Sequence, residues 1–300
     1  MKPVYTLEDL RDWPAATADG EHPLRLAVIG DPVAHSKSPQ MHNAALTELG
    51  LPLRYTRLHI QAGEVEECLR LLPKAGFVGV NCTIPHKGAV LAALGQRADA
   101  TAQEAGGVNT VIVGENGQLS GTSTDGGGLS RAVQESFGRP LKELRAMILG
   151  AAGGAGRAVT MQCAREGCPS LMLINRSLDK LEALLEDLGK YHPEAKTAAG
   201  DFDEIFLKAG LKISDLVINC TSIGMKPGEK SPIPAKLLSA HHLIYDTIYV
   251  GHRTPLLAAG DKAGARGANG LPMLLHQGVL SFERWFQRPA PVETMRAALM

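Results

Sequence analysis

The sequence is poor in the features that mark several large classes of protein. Neither sign of charge is in excess. Lysine plus arginine and aspartate plus glutamate number 31 each, so no basic surface for nucleic acid or anionic lipid is expected. No apolar run is long enough to span a bilayer, and the opening MKPVYTLEDLRDWP lacks the apolar core of a secretory signal. The five cysteines (Cys68, Cys82, Cys163, Cys168 and Cys220) include no CxxC pair. They read as reduced, buried thiols rather than a disulfide framework, and no metal is expected. The cytoplasm is the expected compartment. No internal repeat or low-complexity tract interrupts the chain. What remains is an ordinary globular composition, 44% hydrophobic and 21% charged, in 300 residues, enough for two domains.

Short apolar runs alternate with helical patterns almost throughout. Strands are expected at 24–30, 53–60, 77–84, 108–113, 145–150, 171–175, 216–221, 242–249 and 265–270. Helical stretches such as SPQMHNAALTEL, VEECLRLL, AGRAVTMQCAREG and LDKLEALLEDL lie between them. This alternation implies an α/β protein with mostly parallel sheets. TLEDL, near the start, reads as a short helix capped by Thr6. ENGQ (115–118) reads as a hairpin turn, and the glycines of GTSTDGGGL (121–129) mark a domain boundary or a close backbone approach. The last long helix, LPMLLHQGVLSFERWF, carries an apolar stripe and is expected to return to the first domain.

RAMILGAAGGAGRAV is a strand, a glycine-rich turn and a helix, the context a dinucleotide site requires. Gly150, Gly153 and Gly156 are three apart, with Gly154 extra. Four glycines in seven residues exceed the needs of a plain βα turn. They suit a backbone that approaches a pyrophosphate at a helix N-terminus. The next strand ends in Asn175-Arg176, with Ser177 as an N-cap and Lys180 a turn later. An acid at this point would hold a ribose hydroxyl. The cations suit a 2′-phosphate, so NADP is the expected cofactor, although Asp179 is also available to a ribose.

GVNCTIPHKGAV places Lys87 in the first turn of a helix at the mouth of a strand. The helix macrodipole opposes a cation there, a position that suits a lysine whose proton is to move. Ser38, before Pro39, reads as an N-cap, which leaves Ser36 and His35 unexplained. The serines are suited to hold a small anion. Asp125 reads locally as an N-cap, and Tyr249 and Gln277 are isolated polar residues in apolar segments.

Taken together, VIGDPVAHSKSP, GVNCTIPHK, GGVNT, TDGGGL, GAAGGAGRA, NRS, INCTSIGM, YDTIY and NGLPMLLHQG resemble the shikimate dehydrogenase family in order, over roughly residues 24 to 288. The resemblance implies a substrate-binding and catalytic domain of residues 1–124 plus 274–300, and a Rossmann-type NADP domain of 125–273, with catalysis in the cleft between them. It implies Lys87 and Asp125 as the catalytic pair. Ser36 and Ser38 would hold a substrate carboxylate, and Thr83, Asn109, Tyr249 and Gln277 would make further substrate contacts. Gly150, Gly153, Gly154 and Ala155 would form the phosphate loop, with Asn175, Arg176, Ser177 and Lys180 as the adenosine-phosphate clamp. Thr247, Gly270 and Met273 would line the nicotinamide pocket. The implied reaction is reversible NADPH-dependent reduction of 3-dehydroshikimate to shikimate, in the route to the aromatic amino acids, by a monomer or homodimer. A quinate/shikimate dehydrogenase of relaxed substrate or NAD preference, and a catalytically silent NADP-binding sensor, remain alternatives.

Overall fold

A computed structural model describes residues 2–249 and 251–300. They form two compact units, Met1–Thr124 with Gln277–Met300 and Asp125–His276. The return to the first unit comes at Gln277, within the helix Leu271–Phe286, rather than at residue 274. The residues before it are tied to the second unit. The Met273 N–H donates to the Tyr245 hydroxyl, and His276 pairs with Glu135.

The first unit is built on a six-stranded sheet. Its strands are β1 (Tyr5–Thr6), β2 (Leu24–Gly30), β3 (Arg54–His59), β4 (Gly79–Cys82), β5 (Thr110–Val113) and β6 (Leu119–Thr122). Their spatial order is β1-β3-β2-β4-β5-β6, parallel from β1 through β4 and antiparallel beyond. The expected hairpin turn joins β5 to β6, with Gly117 in the left-handed region at φ 77°. The first residues do more than form a helix. Thr6 caps Leu7–Arg11 in a reciprocal capping box with Asp9, and Tyr5 and Thr6 pair in parallel with Leu58 and His59. Tyr5, Leu7, Leu10 and Trp13 are buried against the sheet, and the Trp13 indole N–H donates to the Leu24 carbonyl.

The second unit holds β7 (Ala146–Leu149), β8 (Leu171–Ile174), β9 (Thr197–Gly200), β10 (Leu216–Asn219), β11 (Leu243–Asp246) and β12 (Arg266–Ala268). Their order, β12-β11-β10-β7-β8-β9, is parallel throughout, and the four residues of each of β7, β8, β10 and β11 are all buried. Strands covered on both faces read as continuous apolar runs, as these do. β9, TAAG, is not expected from the sequence, since half of it is exposed and no β-branched run marks it.

The three glycines after Asp125 lie inside the helix Asp125–Phe137, not in a loop. Gly126 shows why one is there. A Cβ on it would stand 2.7 Å from the Gln162 Cβ and 2.9 Å from the Ala158 carbonyl oxygen, on the helix Gly154–Arg165. The glycine lets two helices of this unit pack at backbone distance.

Candidate active site

In open α/β sheets, ligands gather outside the carboxyl ends of neighbouring strands whose connections leave in opposite directions. In the first unit that place is between β2 and β4, since β2 leads toward β3 and β4 toward β5 on the other side. The loop after β2 carries Ser36 and Ser38, and the loop after β4 carries Thr83 and Lys87. The loops are stitched together. The Thr83 N–H donates to the Ile29 carbonyl at 3.0 Å and the Asp31 N–H to the Ile84 carbonyl at 3.1 Å.

Lys87 is the first residue of the helix Lys87–Leu94, as its sequence context predicts. Beneath it, His86 is buried and its Nε2 lies 2.6 Å from the Ile60 carbonyl. A carbonyl only accepts, so His86 carries its proton on Nε2. The Val108 N–H donates to the Lys87 carbonyl at 3.0 Å, bringing the Gly106–Asn109 turn against the lysine. A Cβ on Gly107 would stand 3.0 Å from the Lys87 Cβ, which accounts for the glycine.

Ser38 corrects one expectation. It is the first residue of the helix Ser38–Glu48, with Lys37, already in a right-handed helical conformation, at the cap position. The Ser36 hydroxyl accepts the Ser38 N–H at 3.3 Å. Asp125 likewise opens its helix rather than preceding it, and is buried. Arg57 is not anticipated by the sequence reading. Its guanidinium donates to the Ser36 carbonyl from Nη2 (2.6 Å) and Nε (3.2 Å), pinning the serine loop to β3. The alternation of LRYTRLHI holds the clue, for it puts Tyr55 and Arg57 on one face.

Asn109 is buried in a polar network that sequence spacing does not reveal. The Tyr55 hydroxyl donates to Asn81 Oδ1 at 2.8 Å. Asn81 Nδ2 lies 3.2 Å from the Asn109 carbonyl, 3.2 Å from Thr110 Oγ1 and 3.0 Å from Ser281 Oγ. The Thr124 N–H donates to Asn109 Oδ1 at 2.9 Å. Beside this network His42 is fully buried, stacked on Tyr55 with ring centroids 4.5 Å apart, and neither ring nitrogen has a partner among the described residues. Burial pushes its pKa down to about 3.

The same topological reversal occurs in the second unit between β7 and β10. Here the loop after β7 is the glycine turn. Gly150 has φ 75°, and its N–H donates to the Ile174 carbonyl at 2.7 Å. Gly156 permits the helix to start against the turn, because a Cβ there would stand 2.0 Å from the Gly150 carbonyl oxygen. Gly153 occupies the cap of the helix Gly154–Arg165, and nothing lies within 4 Å of the position a Gly154 Cβ would take. Gly154 thus has no neighbour among the described residues that requires a glycine. Its bareness, with the exposed turn at a helix N-terminus, fits a ligand phosphate brought to backbone distance.

Asn175 is buried. Its Oδ1 accepts the Ala152 N–H at 3.4 Å and its Nδ2 donates to the Ser177 carbonyl at 2.9 Å. It shapes the turn and the start of Leu178–Tyr191, for which Ser177 is the cap residue without a side-chain cap bond. Arg176 and Lys180 are exposed beside it. Across the sheet, the Thr247 hydroxyl donates to the Asn219 carbonyl at 2.8 Å. A Cβ on Gly270 would lie 2.0 Å from the Thr247 carbonyl oxygen, so that glycine serves a close chain crossing. The Met273 side chain is buried in the apolar core of this unit, whereas Tyr249 is exposed. Asp246 helps to hold these loops. It is buried, accepts from Thr254 and Asn219, and has its pKa raised by burial.

Among the described residues, no group of three or more His, Cys, Asp or Glu side chains is arranged to hold a metal. No helix of the described residues is long and apolar enough to cross a membrane.

A parallel doubly wound sheet with a phosphate-fitting glycine turn, joined in one chain to a second α/β unit with a lysine at its strand mouths, defines a nicotinamide-dependent oxidoreductase with its own substrate domain. Family models agree in detail. Residues 28–111 match the shikimate dehydrogenase substrate binding domain and residues 270–300 the shikimate 5′-dehydrogenase C-terminal domain. The chain is 40% identical over 277 residues to the shikimate dehydrogenase (NADP(+)) of Symbiobacterium thermophilum, covering 92% of this chain and 93% of that protein. The shikimate 5-dehydrogenase of Thermus thermophilus, solved in complex with NADP(H) and shikimate, superposes with a TM-score of 0.80 at 35% identity, covering 92% of this chain and 98% of that one. The quinate dehydrogenase of Corynebacterium glutamicum, solved with NAD, gives a TM-score of 0.83 at 25% identity, covering 93% of this chain and 99% of that one. The chain belongs to the shikimate dehydrogenase family.

Proposed function

We propose that this protein is an NADP-dependent shikimate dehydrogenase, interconverting 3-dehydroshikimate and shikimate. The observation that carries the reading is the position of Lys87, at a helix start on the strand-end crevice of a sheet whose family acts on this substrate. When bound, the nicotinamide supplies or accepts the hydride. In the reductive direction the Lys87 ammonium gives a proton to the ketone oxygen as the carbon gains hydride, so C=O becomes CH–OH. In the reverse direction neutral Lys87 takes the hydroxyl proton. Asp125 is its proposed partner. Ser36 and Ser38 receive the substrate carboxylate, on a loop whose position Arg57 fixes. Thr83, Asn109, Tyr249 and Gln277 contact the remaining oxygens. Gly150, Gly153, Gly154 and Ala155 hold the pyrophosphate, and Arg176 and Lys180 face the 2′-phosphate, with Asn175 and Ser177 shaping their loop. Thr247, Gly270 and Met273 form the nicotinamide side, the last two through backbone placement.

The five cysteines are unpaired thiols, four of them buried, in keeping with a reducing cytoplasm. The likeness to a quinate dehydrogenase favours one second reading, a quinate/shikimate enzyme, since an extra hydroxyl is only weakly rejected by a pocket not built against it. A steady-state assay of shikimate or quinate against NADP or NAD separates the two. Turnover confined to shikimate with NADP supports the first reading. Comparable turnover of quinate or of NAD establishes the second, and no turnover in any combination refutes both.

A further inference from the structure

Ser281 lies on the helix Leu271–Phe286, one turn beyond Gln277, and is fully buried. A hydroxyl has one hydrogen and two lone pairs, and four polar atoms lie within reach of this one. Its oxygen lies 2.9 Å from the Gln277 carbonyl, 3.0 Å from Asn81 Nδ2, 2.7 Å from Thr110 Oγ1 and 3.3 Å from Thr124 Oγ1, and its one hydrogen is shared between the Gln277 carbonyl and Thr110 while Asn81 donates to it. The directions follow from the chemistry of each group. Asn81 Oδ1 accepts from Tyr55, so its Nδ2 faces Ser281 and Thr110. The Thr124 N–H only donates, so it fixes Asn109 Oδ1 toward itself, and the Thr110 hydroxyl donates to that same Oδ1 at 2.9 Å. One oxygen therefore lies among the Gln277 carbonyl, the Asn81 amide and the hydroxyls of Thr110 and Thr124 that hold the Asn109 amide in place.

We infer that Ser281 is a positioning residue for substrate specificity. Through Asn81, Thr110 and Thr124 it steadies the Asn109 amide in the rotation that the Thr124 N–H sets, from the helix turn that also carries Gln277. The inference rests on the proposed reading of Asn109 and Gln277 as substrate contacts. With Oδ1 held by the Thr124 N–H and Thr110, Asn109 has the second hydrogen of Nδ2 to offer a substrate oxygen, and an amide less firmly held aims that donor poorly, so loss of the network blurs recognition before it affects proton transfer. Every group in this arrangement belongs to the first unit, whereas the glycine turn belongs to the second.

The test compares Ser281→Ala, Ser281→Cys and Trp285→Phe with the wild type, measuring kcat, KM for shikimate, KM for NADP, the quinate-to-shikimate ratio of kcat/KM, and Tm. Trp285 is the control. It lies on the same helix and donates to the Val111 carbonyl at 2.9 Å, outside the hydrogen-bond network of Ser281. Ser281→Ala is expected to raise the shikimate KM about tenfold and the quinate ratio with it, leaving kcat and the NADP KM within about twofold. Ser281→Cys, which keeps a weak donor, is expected to fall between. Trp285→Phe is expected to lower Tm without moving the shikimate KM. An unchanged shikimate KM in Ser281→Ala overturns the inference. So does a rise in Trp285→Phe as large as that in Ser281→Ala, which would reduce the effect to lost stability. If Ser281→Ala does not fold, Ser281→Cys decides by the same two measures. A wild type that turns over neither substrate refutes the functional reading itself, a distinct outcome.

Discussion

The two sheets share one plan and equip it in opposite ways. Each reverses direction at the centre, between β2 and β4 in the first unit and between β7 and β10 in the second. At the first reversal the chain presents side chains: two serines, a threonine, a lysine and an asparagine held by a buried polar network. At the second it presents backbone, with glycines that bare the amides of a turn and a helix start. The difference matches what each is proposed to recognise. A small polyhydroxylated acid has to be told from its close analogues, which takes hydrogen-bonding groups at fixed points. A phosphate needs only convergent N–H donors and positive potential, which any helix start can provide once side chains are out of the way.

The largest expected effect removes the chemistry from the side-chain end. Lys87→Ala should lower kcat on the order of 10³-fold while shikimate still binds, measured by single-turnover kinetics and titration calorimetry. Near-normal turnover would show that the first sheet binds without catalysing. The complementary change adds a side chain where the second sheet has none. Gly154→Ala brings its Cβ within 4 Å of no described residue beyond its chain neighbours and its own helix backbone, and it replaces glycine by the best helix former. Tm should hold or rise, while the Kd for NADP should weaken roughly tenfold. Unchanged affinity would mean that backbone approach at this turn is not what binds the phosphates.

A smaller effect separates the interiors. His42 has a pKa of about 3 when folded against 6.5 for an ordinary imidazole. Between those values the unfolded chain binds the extra proton, so its neutral burial contributes stability that is fully present above 6.5 and falls as the pH drops. His42→Leu should flatten the acid limb of the stability curve by up to one proton, ~1.4 kcal/mol per pH unit. Urea titrations at pH 7 and pH 5 check this, and parallel losses in the two proteins would sink it.

Local signals are legible where one segment carries the whole cause. The apolar run of β2 matches the strand at both ends, Lys87 stands at a helix start, and the glycine turn lies between strand and helix. What stays hidden needs partners far along the chain. Ser281 and Asn81 are 200 residues apart, and Arg57 meets Ser36 across 21. Neither pairing leaves a spacing in the sequence. Ser38 shows a subtler limit. A serine before proline has the look of a cap, but the backbone of Lys37 already turns, and the helix starts one residue sooner. β9 escapes for a different reason, since half-exposed alanines have no pattern to read.

The short strand β1 bears on where such a chain should be cut. The family's substrate-domain match starts at residue 28, which falls inside β2 and leaves Tyr5, Leu10 and Trp13 outside. Tyr5 lies in the strand paired with β3, which supplies Arg57 to the serine loop, Trp13 is bonded to β2, and Arg11 ties this segment down through two bonds to Glu67. An expression boundary drawn from family similarity would uncover the sheet beside the strand whose Arg57 holds the Ser36 loop.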